Sequence, residues 1–371
     1  MIERNLLIGN GINIEFSGND DYKNYKIIER LTQNICTNKY YDVFQGTLNQ
    51  DDLKKMIILL NEEFNKIAET GKISSTWLKT KSDCQTLMEI LARYHGESQN
   101  ILSIGMEDYF FIMRLLNNSV GNTDDTMETL FQGLRYLFLD AIYNNGEIET
   151  LYEKMNCYKK ELLKYKNIFT INYDANIDKL TNKRIFHLHG SFNVLDDTYR
   201  PETIIGYLAL QNHSLKVIPK LKHIYCNGIM GYSGEYKMER MERYSSGNMA
   251  INKLMHLSDQ EREQYYTQLK SSTKESDIYV AKVIKACLAH PELKYNEYPI
   301  KQFENINGEL HIIGMSPNND SHIFKMINEN PHISNIVYFS ANDDDTKNIQ
   351  KVINKTVQIR NIFKYWKSLI A

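Results

Sequence analysis

Four short apolar segments, each followed at once by a polar loop, limit the fold of this 371-residue chain more than any other feature. The segments and their loops are NLLI with GNGIN (5–13), IFTI with NYDAN (168–176), IFHL with HGSF (185–192) and LHII with GMSPNND (310–320). A short apolar run that ends in a turn rich in glycine or asparagine is typical of a β-strand. Because ligands bind at the carboxyl ends of the strands in open parallel sheets, we predict an α/β sheet whose four loops share one crevice.

The last hundred residues alternate between strand and helix patterns. ELHIIG (309–314) and NIVYFS (335–340) have the pattern of strands, and SHIFKMINEN (321–330) between them has that of a helix. Strand, helix and strand in this order form a βαβ unit with parallel strands and a right-handed crossover. A helical tail is expected from about residue 345. The predicted fold is therefore a Rossmann-like parallel sheet.

A long stretch with helical periodicity separates the first loop from the second. Apolar residues of segment 51–67 recur at the three- and four-residue spacing of one buried helix face, and later segments repeat the pattern. We predict that residues 1–24 and 165–371 form one α/β domain that is split in sequence. Residues 25–164 are predicted to form a helical insertion within it.

The segment 195–260 has neither the helix nor the strand period and is expected to form loops, with helices following at 259–270 and 276–289. Its tyrosine-rich part, 225–266, fits either a lid over a pocket or a contact between copies of the chain. The sequence leaves both interpretations open.

Composition and charge narrow the class of protein. With 42% hydrophobic residues the chain can bury a sizeable core, and its net charge of -2 gives no basic field, so nucleic acid is expected only as an indirect partner. Apolar runs such as MIILL (56–60) are far shorter than the roughly 20 residues that cross a bilayer. The opening MIERNLLIGN has no secretory signal, which predicts a cytoplasmic protein that does not enter membranes.

The five cysteines are scattered, without a CxxC pair or clustered histidines. This spacing indicates neither a disulfide framework nor a metal site, and it suits a reducing compartment.

The first loop, GNGIN, has the chemistry of a phosphate- or ribose-binding turn. Gly9 and Gly11 permit close backbone approach, and Asn10 and Asn13 offer amide donors. Position 14 is Ile, so the third glycine of the dinucleotide-binding fingerprint is missing, which disfavours an ordinary dehydrogenase. A structural turn without a ligand is the alternative.

The second and third loops carry the candidate catalytic residues. Asn172 and Asp174 follow a strand and could hold a water and an amide-bearing ligand, although an Asx turn also explains them. His187 and His189 are predicted to share one face of a strand, and His189, next to Gly190, is the candidate general base.

The fourth loop repeats the combination of glycine, hydroxyl and carboxylate. Gly314, Ser316 and Asp320 are suited to phosphate and ribose hydroxyls. Helix capping is the alternative for Asp320, because it directly precedes the predicted helix SHIFKMI.

Together the four loops make the chain resemble the sirtuin-like superfamily of NAD-consuming proteins. The GAGIS loop of that superfamily resembles GNGIN (9–13), and its TQNID motif resembles TINYD (170–174). Its catalytic HG dipeptide resembles the start of HGSF (189–192), and its late GTS-type loop resembles GMS (314–316). SGNDDY (17–22) is similar to the family's AGIPDF segment with one additional residue, which places Asp21 at a binding position.

The resemblance implies that NAD is the substrate and is hydrolysed to nicotinamide and ADP-ribose. Asn172 would orient the water or the ribose, His189 would act as base, and Asp174 would bind the nicotinamide amide. The loops 9–13 and 314–320 would hold the phosphates and the adenosine ribose. The zinc-binding CxxC pairs of the protein deacetylases are absent after HGSF, so no zinc is expected.

The large insertion makes the chain more similar to the bacterial sirtuin-like domains of antiphage defence, and the AbiH-type abortive infection family is a related look-alike. This resemblance implies an abortive-infection effector that forms a homo-oligomer and works with an ATPase, a nuclease or a phage-sensing subunit. Three other hypotheses remain: a module that senses NAD or ADP-ribose without cleaving it, a scaffold subunit of a defence complex, and a zinc-free protein deacylase.

Overall fold

A six-stranded parallel β-sheet lies at the centre of the protein in the computed structural model, which describes residues 3–44, 46–120, 125–210, 216–232, 234–318 and 320–370. The strands are β1 (Arg4–Ile8), β2 (Asn167–Thr170), β3 (Phe186–His187), β4 (Gly308–Ile313), β5 (Ile333–Ser340) and β6 (Val357–Asn361). Each neighbouring pair is parallel, and the spatial order is β3-β2-β1-β4-β5-β6. This order is that of a Rossmann-like sheet and confirms the predicted α/β class.

The α-helices of the described residues are α1 (Gly11–Ser17), α2 (Asn24–Ile35), α3 (Tyr41–Phe44), α4 (Gln50–Thr70), α5 (Lys81–Tyr94), α6 (Met106–Val120), α7 (Asp125–Tyr143), α8 (Lys159–Leu162), α9 (Asn176–Thr181), α10 (Ile204–Leu210), α11 (Gly234–Met255), α12 (Asp259–Lys270), α13 (Glu275–Ala289), α14 (Ile300–Glu304), α15 (Ser321–Glu329), α16 (Asp343–Val352) and α17 (Ile362–Ile370). Segments of 3-10 helix lie at Ser75–Trp77, Ile101–Ser103, Asn144–Tyr158, Asp197–Tyr199 and Pro219–Tyr225. None of the helices in these described ranges combines the length and the apolar content that crossing a bilayer requires.

The central strand β1 is buried on both faces. Leu6, Leu7 and Ile8 are all fully inaccessible to solvent, as expected for a parallel strand covered by helices on both sides. Leu6 and Ile8 belong to an apolar cluster that includes residues of α2, α4 and α7, whereas Leu7 belongs to a second cluster with residues of α15. The core of the helical segment 25–164 is thus continuous with one face of the sheet, and the division into two domains stays a prediction.

Helix α4 shows why the inserted segment is helical. The side chain of Asn49 accepts hydrogen bonds from the backbone N–H groups of Asp51 and Asp52, and the Asp52 side chain accepts from the backbone of Asn49, which forms a capping box. Leu53, Leu60 and Phe64 on one helix face are almost completely buried. The helix ends at Gly71 with φ of 63°, a left-handed conformation that glycine adopts without strain.

Two segments of the chain differ from the sequence prediction. Segment 195–260, predicted as loops, contains α10 and the 22-residue helix α11. Half of the residues of α11 are polar and Gly247 lies near its middle, so the apolar spacing of a helix face is weak. The tail predicted as helical from about residue 345 is interrupted by β6, an edge strand whose sequence VQIRN is half-exposed and carries little apolar pattern.

Candidate functional site

A cavity of about 700 Å³ opens at the carboxyl ends of the strands, where the loops after β1, β2, β3 and β4 meet. Because β1 and β4 lie side by side while their connections lead to opposite halves of the sheet, the cavity includes the topological switch point of the fold. The predicted site residues that line it are Asn10, Gly11, Asn13, Asn172, Asp174, His189, Gly314, Ser316 and Asp320.

Two predicted residues are not among the described residues that line the cavity. Gly9 lies in the contact between the loops that follow β1 and β4. Asp21 accepts a hydrogen bond from the Asn19 side chain and lies 3.8 Å from the Arg30 guanidinium, on the partly exposed segment after α1. The geometry thus gives Asp21 a local partner and no contact with the cavity.

The glycines of the first and fourth loops allow the two backbones to touch. The Gly11 N–H donates to the Gly314 carbonyl at 2.8 Å, and the Gly9 N–H donates to the Ile313 carbonyl at 2.9 Å. A Cβ on Gly9 would lie 2.5 Å from the Gly314 carbonyl oxygen, and one on Gly11 would lie 2.6 Å from the Gly314 Cα. The structural-turn interpretation therefore accounts for Gly9, while Gly11 both packs and lines the cavity.

We expect Gly11→Ala to lower the free energy of unfolding by about 2 kcal/mol, because the added methyl group overlaps backbone that cannot move aside easily. Alanine is normally a better helix former than glycine, so the sign itself is informative. Gly18→Ala at the other end of α1 is the matched control: nothing lies within 4 Å of its Cβ, and its φ of +73° leaves only backbone strain. Urea denaturation compares the two, and an equal or smaller loss for Gly11→Ala would contradict the steric explanation.

The Asp174 carboxylate accepts hydrogen bonds from two asparagines, Asn13 and Asn176. Its Oδ2 accepts from Asn13 Nδ2 at 2.7 Å, and its Oδ1 accepts from the Asn176 backbone N–H at 3.1 Å and from Asn176 Nδ2 at 2.6 Å. The bond to the residue two positions later is that of an Asx turn, the structural alternative for this residue. Burial raises the pKa of Asp174, and the hydrogen bonds from Asn13 and Asn176 oppose this shift.

Asn172 joins the loops after β1 and β2. Its backbone N–H donates to Thr170 Oγ1 at 3.0 Å and its Nδ2 donates to the Gly9 carbonyl at 3.3 Å. Its own carbonyl oxygen lies 3.1 Å from Nδ1 of His187. These contacts position the side chain at the cavity wall.

His187 and His189 lie in different environments, contrary to the expectation that they share a strand face. Strand β3 ends at His187, whose Nε2 lies 3.0 Å from Asp178 Oδ2. His189 lies in the turn that follows, next to Gly190 with φ of +87°. Burial opposes protonation of His187, but Asp178, the Asn172 carbonyl and Asp174 together outweigh it and raise the pKa of His187.

His189 faces a second histidine that the sequence prediction missed. Its Nε2 lies 3.0 Å from Nε2 of His322 and 3.8 Å from Oδ1 of Asp320, and both imidazoles are 2% exposed. Burial and the nearby Lys237 ammonium hold the pKa of His189 well below its ordinary value, and burial lowers that of His322 to about 3. Both rings are therefore neutral near pH 7.

Asp320 does not cap α15 with its side chain. It has φ of 55°, makes no capping hydrogen bond, and its Oδ1 lies 3.4 Å from Nζ of Lys237. Burial alone would raise the pKa of Asp320, but Lys237 and the two histidines lower it to about 2. The capping alternative is wrong for this carboxylate, which points to the site and not to its own helix.

Lys237 and Glu107 complete the charged part of the site. The Lys237 ammonium, 2% exposed, contacts Glu107 of α6 and Asp320, and these two carboxylates raise its pKa despite burial. Glu107 belongs to the helical insertion, so that segment supplies both a wall of the cavity and a partner for the buried ammonium of Lys237.

The sequence prediction missed His322 and Lys237 as site residues. The position of His322, two residues after Asp320 at a predicted helix start, is the one sequence feature that could have indicated it. No sequence feature indicated Lys237, because its segment was predicted to form loops.

Comparisons with protein-family models, curated proteins and solved structures found no significant match for this chain. The resemblance to the sirtuin-like and AbiH-type families therefore stays a prediction.

Proposed function

We propose that the cavity binds NAD and hydrolyses the bond between nicotinamide and ribose. The observation that carries this proposal is that Asn172 and His189, on loops after neighbouring strands, line one cavity with the loops that follow β1 and β4. A volume of about 700 Å³ is within the range of cavities that take small molecules and cofactors.

The reaction needs stabilisation of positive charge and a nucleophilic water. The glycosidic carbon–nitrogen bond breaks, its electron pair leaves with nicotinamide, and the ribose develops oxocarbenium character. Carboxylates such as Asp320 favour that positive charge. Asn172 orients the water, whose oxygen bonds to the ribose carbon, and neutral His189 accepts its proton. In this proposal Gly11 and Ser316, on the loops after β1 and β4, hold the pyrophosphate and ribose.

The direct test is incubation of the full chain with NAD and chromatographic measurement of the products. We expect nicotinamide and ADP-ribose in equal amounts, at a rate proportional to protein concentration. Replacement of the exposed His256, which directly follows α11, by alanine controls for histidine chemistry outside the cavity and should leave the rate unchanged. Release of nicotinamide without ADP-ribose, or an equal rate in protein-free buffer, would contradict hydrolysis by this chain.

A nucleotide-sensing module is the second candidate, and the state of His189 favours it. A histidine whose pKa is held well below its ordinary value is a weak proton acceptor at neutral pH. In this case NAD or ADP-ribose would raise the thermal unfolding temperature without any product. The two candidates are therefore separated by measuring binding and turnover in the same sample.

The proposed cellular role is that of an abortive-infection effector, with NAD depletion as the toxic event. Its basis is the resemblance of the four loops to defence-associated sirtuin-like domains. Infected cells that express the wild-type chain should lose NAD, whereas cells with His189→Ala should keep it. Unchanged NAD in both would favour the scaffold alternative. A homo-oligomer and a partner ATPase, nuclease or sensing subunit belong to the same proposal.

A further inference from the structure

Two imidazoles and one carboxylate beside the cavity turn their ligand atoms toward one another. One nitrogen of His189, one of His322 and one oxygen of Asp320 all lie within 4.8 Å of each other. We propose that these three residues bind a divalent transition-metal cation of the kind that imidazole prefers, with zinc as the reference ion. Two nitrogens and one oxygen suit such ions better than calcium or magnesium, which prefer oxygen ligands.

The distance between the two Nε2 atoms is in the range that coordination of one metal ion requires. Two nitrogens that are each about 2.1 Å from one ion lie about 3.0 Å apart in an octahedral site and about 3.4 Å apart in a tetrahedral one. The observed separation of the two Nε2 atoms is 3.0 Å, the octahedral value, so a tetrahedral ion such as zinc requires the two nitrogens to move apart by about 0.4 Å. Asp320 Oδ1, at 3.8 Å from His189 Nε2, needs only a small side-chain movement to complete a three-residue face.

Without a cation, a single hydrogen bond is the most that the two Nε2 atoms form with each other. Two neutral imidazoles that face each other through Nε2 share a single proton, whichever ring carries it. Nδ1 of His322 is buried with no hydrogen-bond partner among the described residues, and an ion at Nε2 leaves it in that state. An ion between the rings gives each Nε2 a bond of its own, and both histidines are already 98% removed from solvent, since each is 2% exposed.

The charged groups around the three ligands have a net negative charge, which favours binding of a cation. Asp320 and Glu107 are two carboxylates, and the Lys237 ammonium that contacts both supplies one positive charge. The set therefore has one negative charge in excess. His189 and Asp320 also line the cavity, which gives an ion a route from solvent.

This site goes beyond the proposed NAD hydrolysis, because the three ligands are in place whatever organic molecule the cavity takes. If both hold, His189 is a metal ligand, and a water on the ion is the group that loses the proton.

The test uses the full chain after dialysis against a chelator, with no nucleotide present. Calorimetric titration with zinc should show one ion per chain. His322→Ala should weaken binding at least about 100-fold, since even loss of a supporting residue costs metal sites up to that factor. His290→Ala, which removes an exposed histidine 3.4 Å from Glu292, controls for surface binding and should leave the affinity unchanged.

Equal affinity and stoichiometry in His322→Ala and wild type would overturn the proposal, as would absence of binding by the wild type at millimolar zinc. If circular dichroism shows that His322→Ala does not fold, the wild-type cobalt spectrum decides. Visible bands of a nitrogen- and oxygen-ligated ion support the site, and a spectrum identical to that of aqueous cobalt overturns it. Because no nucleotide is used, failure here leaves the proposal of NAD hydrolysis untouched.

Discussion

Replacement of His189 by alanine is expected to lower the rate of nicotinamide release from NAD by about 100- to 10,000-fold, the range that loss of a proton-transferring side chain costs enzymes. His189 is 2% exposed and lines the cavity beside Asp320, so its loss removes the proton acceptor or the ligand that activates water. Gly11 and Ser316, the candidates for holding the pyrophosphate, stay in place. We therefore expect kcat to fall while KM for NAD changes by less than about threefold.

Asn172→Ala should reduce kcat in the same direction, because it removes the group that orients the water. His256→Ala is the control for both variants, and circular dichroism must show that each variant retains its secondary structure. Product formation by either variant at the wild-type rate would show that the catalytic assignment of that residue is wrong. Thermal stabilisation by NAD in all three variants, with no product from any protein, would favour the sensing module.

Lys237→Met is expected to lower the free energy of unfolding by about 3 kcal/mol, because it leaves the buried Asp320 carboxylate without its cation. The Lys237 and Asp320 side chains are 2% and 11% exposed, so water compensates the lost contact poorly. Because the Glu107 side chain is 38% exposed, its loss of the Lys237 contact lowers the free energy of unfolding less. The expected loss therefore lies at the lower end of the range for broken buried ion pairs.

Urea denaturation measures the loss, with Lys23→Met as the matched control. Lys23 forms an ion pair with Asp20 at 2.6 Å, but both side chains are 46% exposed, and its removal should cost much less than the removal of Lys237. Combining Lys237→Met with Glu107→Gln should restore part of the loss. Similar losses for the two lysine variants would show that the buried ammonium does not stabilise the link between the insertion and the site.

Local patterns in the sequence predicted the strands that build the sheet. The apolar runs at Asn5–Ile8, Ile168–Thr170, Leu310–Ile313 and Ile336–Ser340 are buried in the structure as parallel strands. They were visible because strands buried on both faces require nearly continuous apolar residues. Strand β6 was missed because an edge strand needs little apolar sequence. Helix α11 was missed because only part of it packs on the core.

The same patterns located the cavity but not its chemistry. The loop positions follow from strand ends, so Asn172 and His189 were predicted to lie at one sheet edge, and both line the cavity. The partners of those residues depend on which distant segments fold over that edge. His189 and His322 are 133 positions apart, and Lys237 reaches Asp320 from a helix outside the sheet.

The sequence by itself determined a parallel sheet with four polar loops at one edge, because burial and turn geometry are recorded in the spacing of neighbouring residues. Only the tertiary structure decided that Gly9 serves packing, that Asp174 is held in an Asx turn, and that Asp320 turns away from its own helix. It also decided that two histidines, a carboxylate and a buried ammonium meet. Contacts of this kind arise from the sheet order and the packing of the insertion, which no local pattern records.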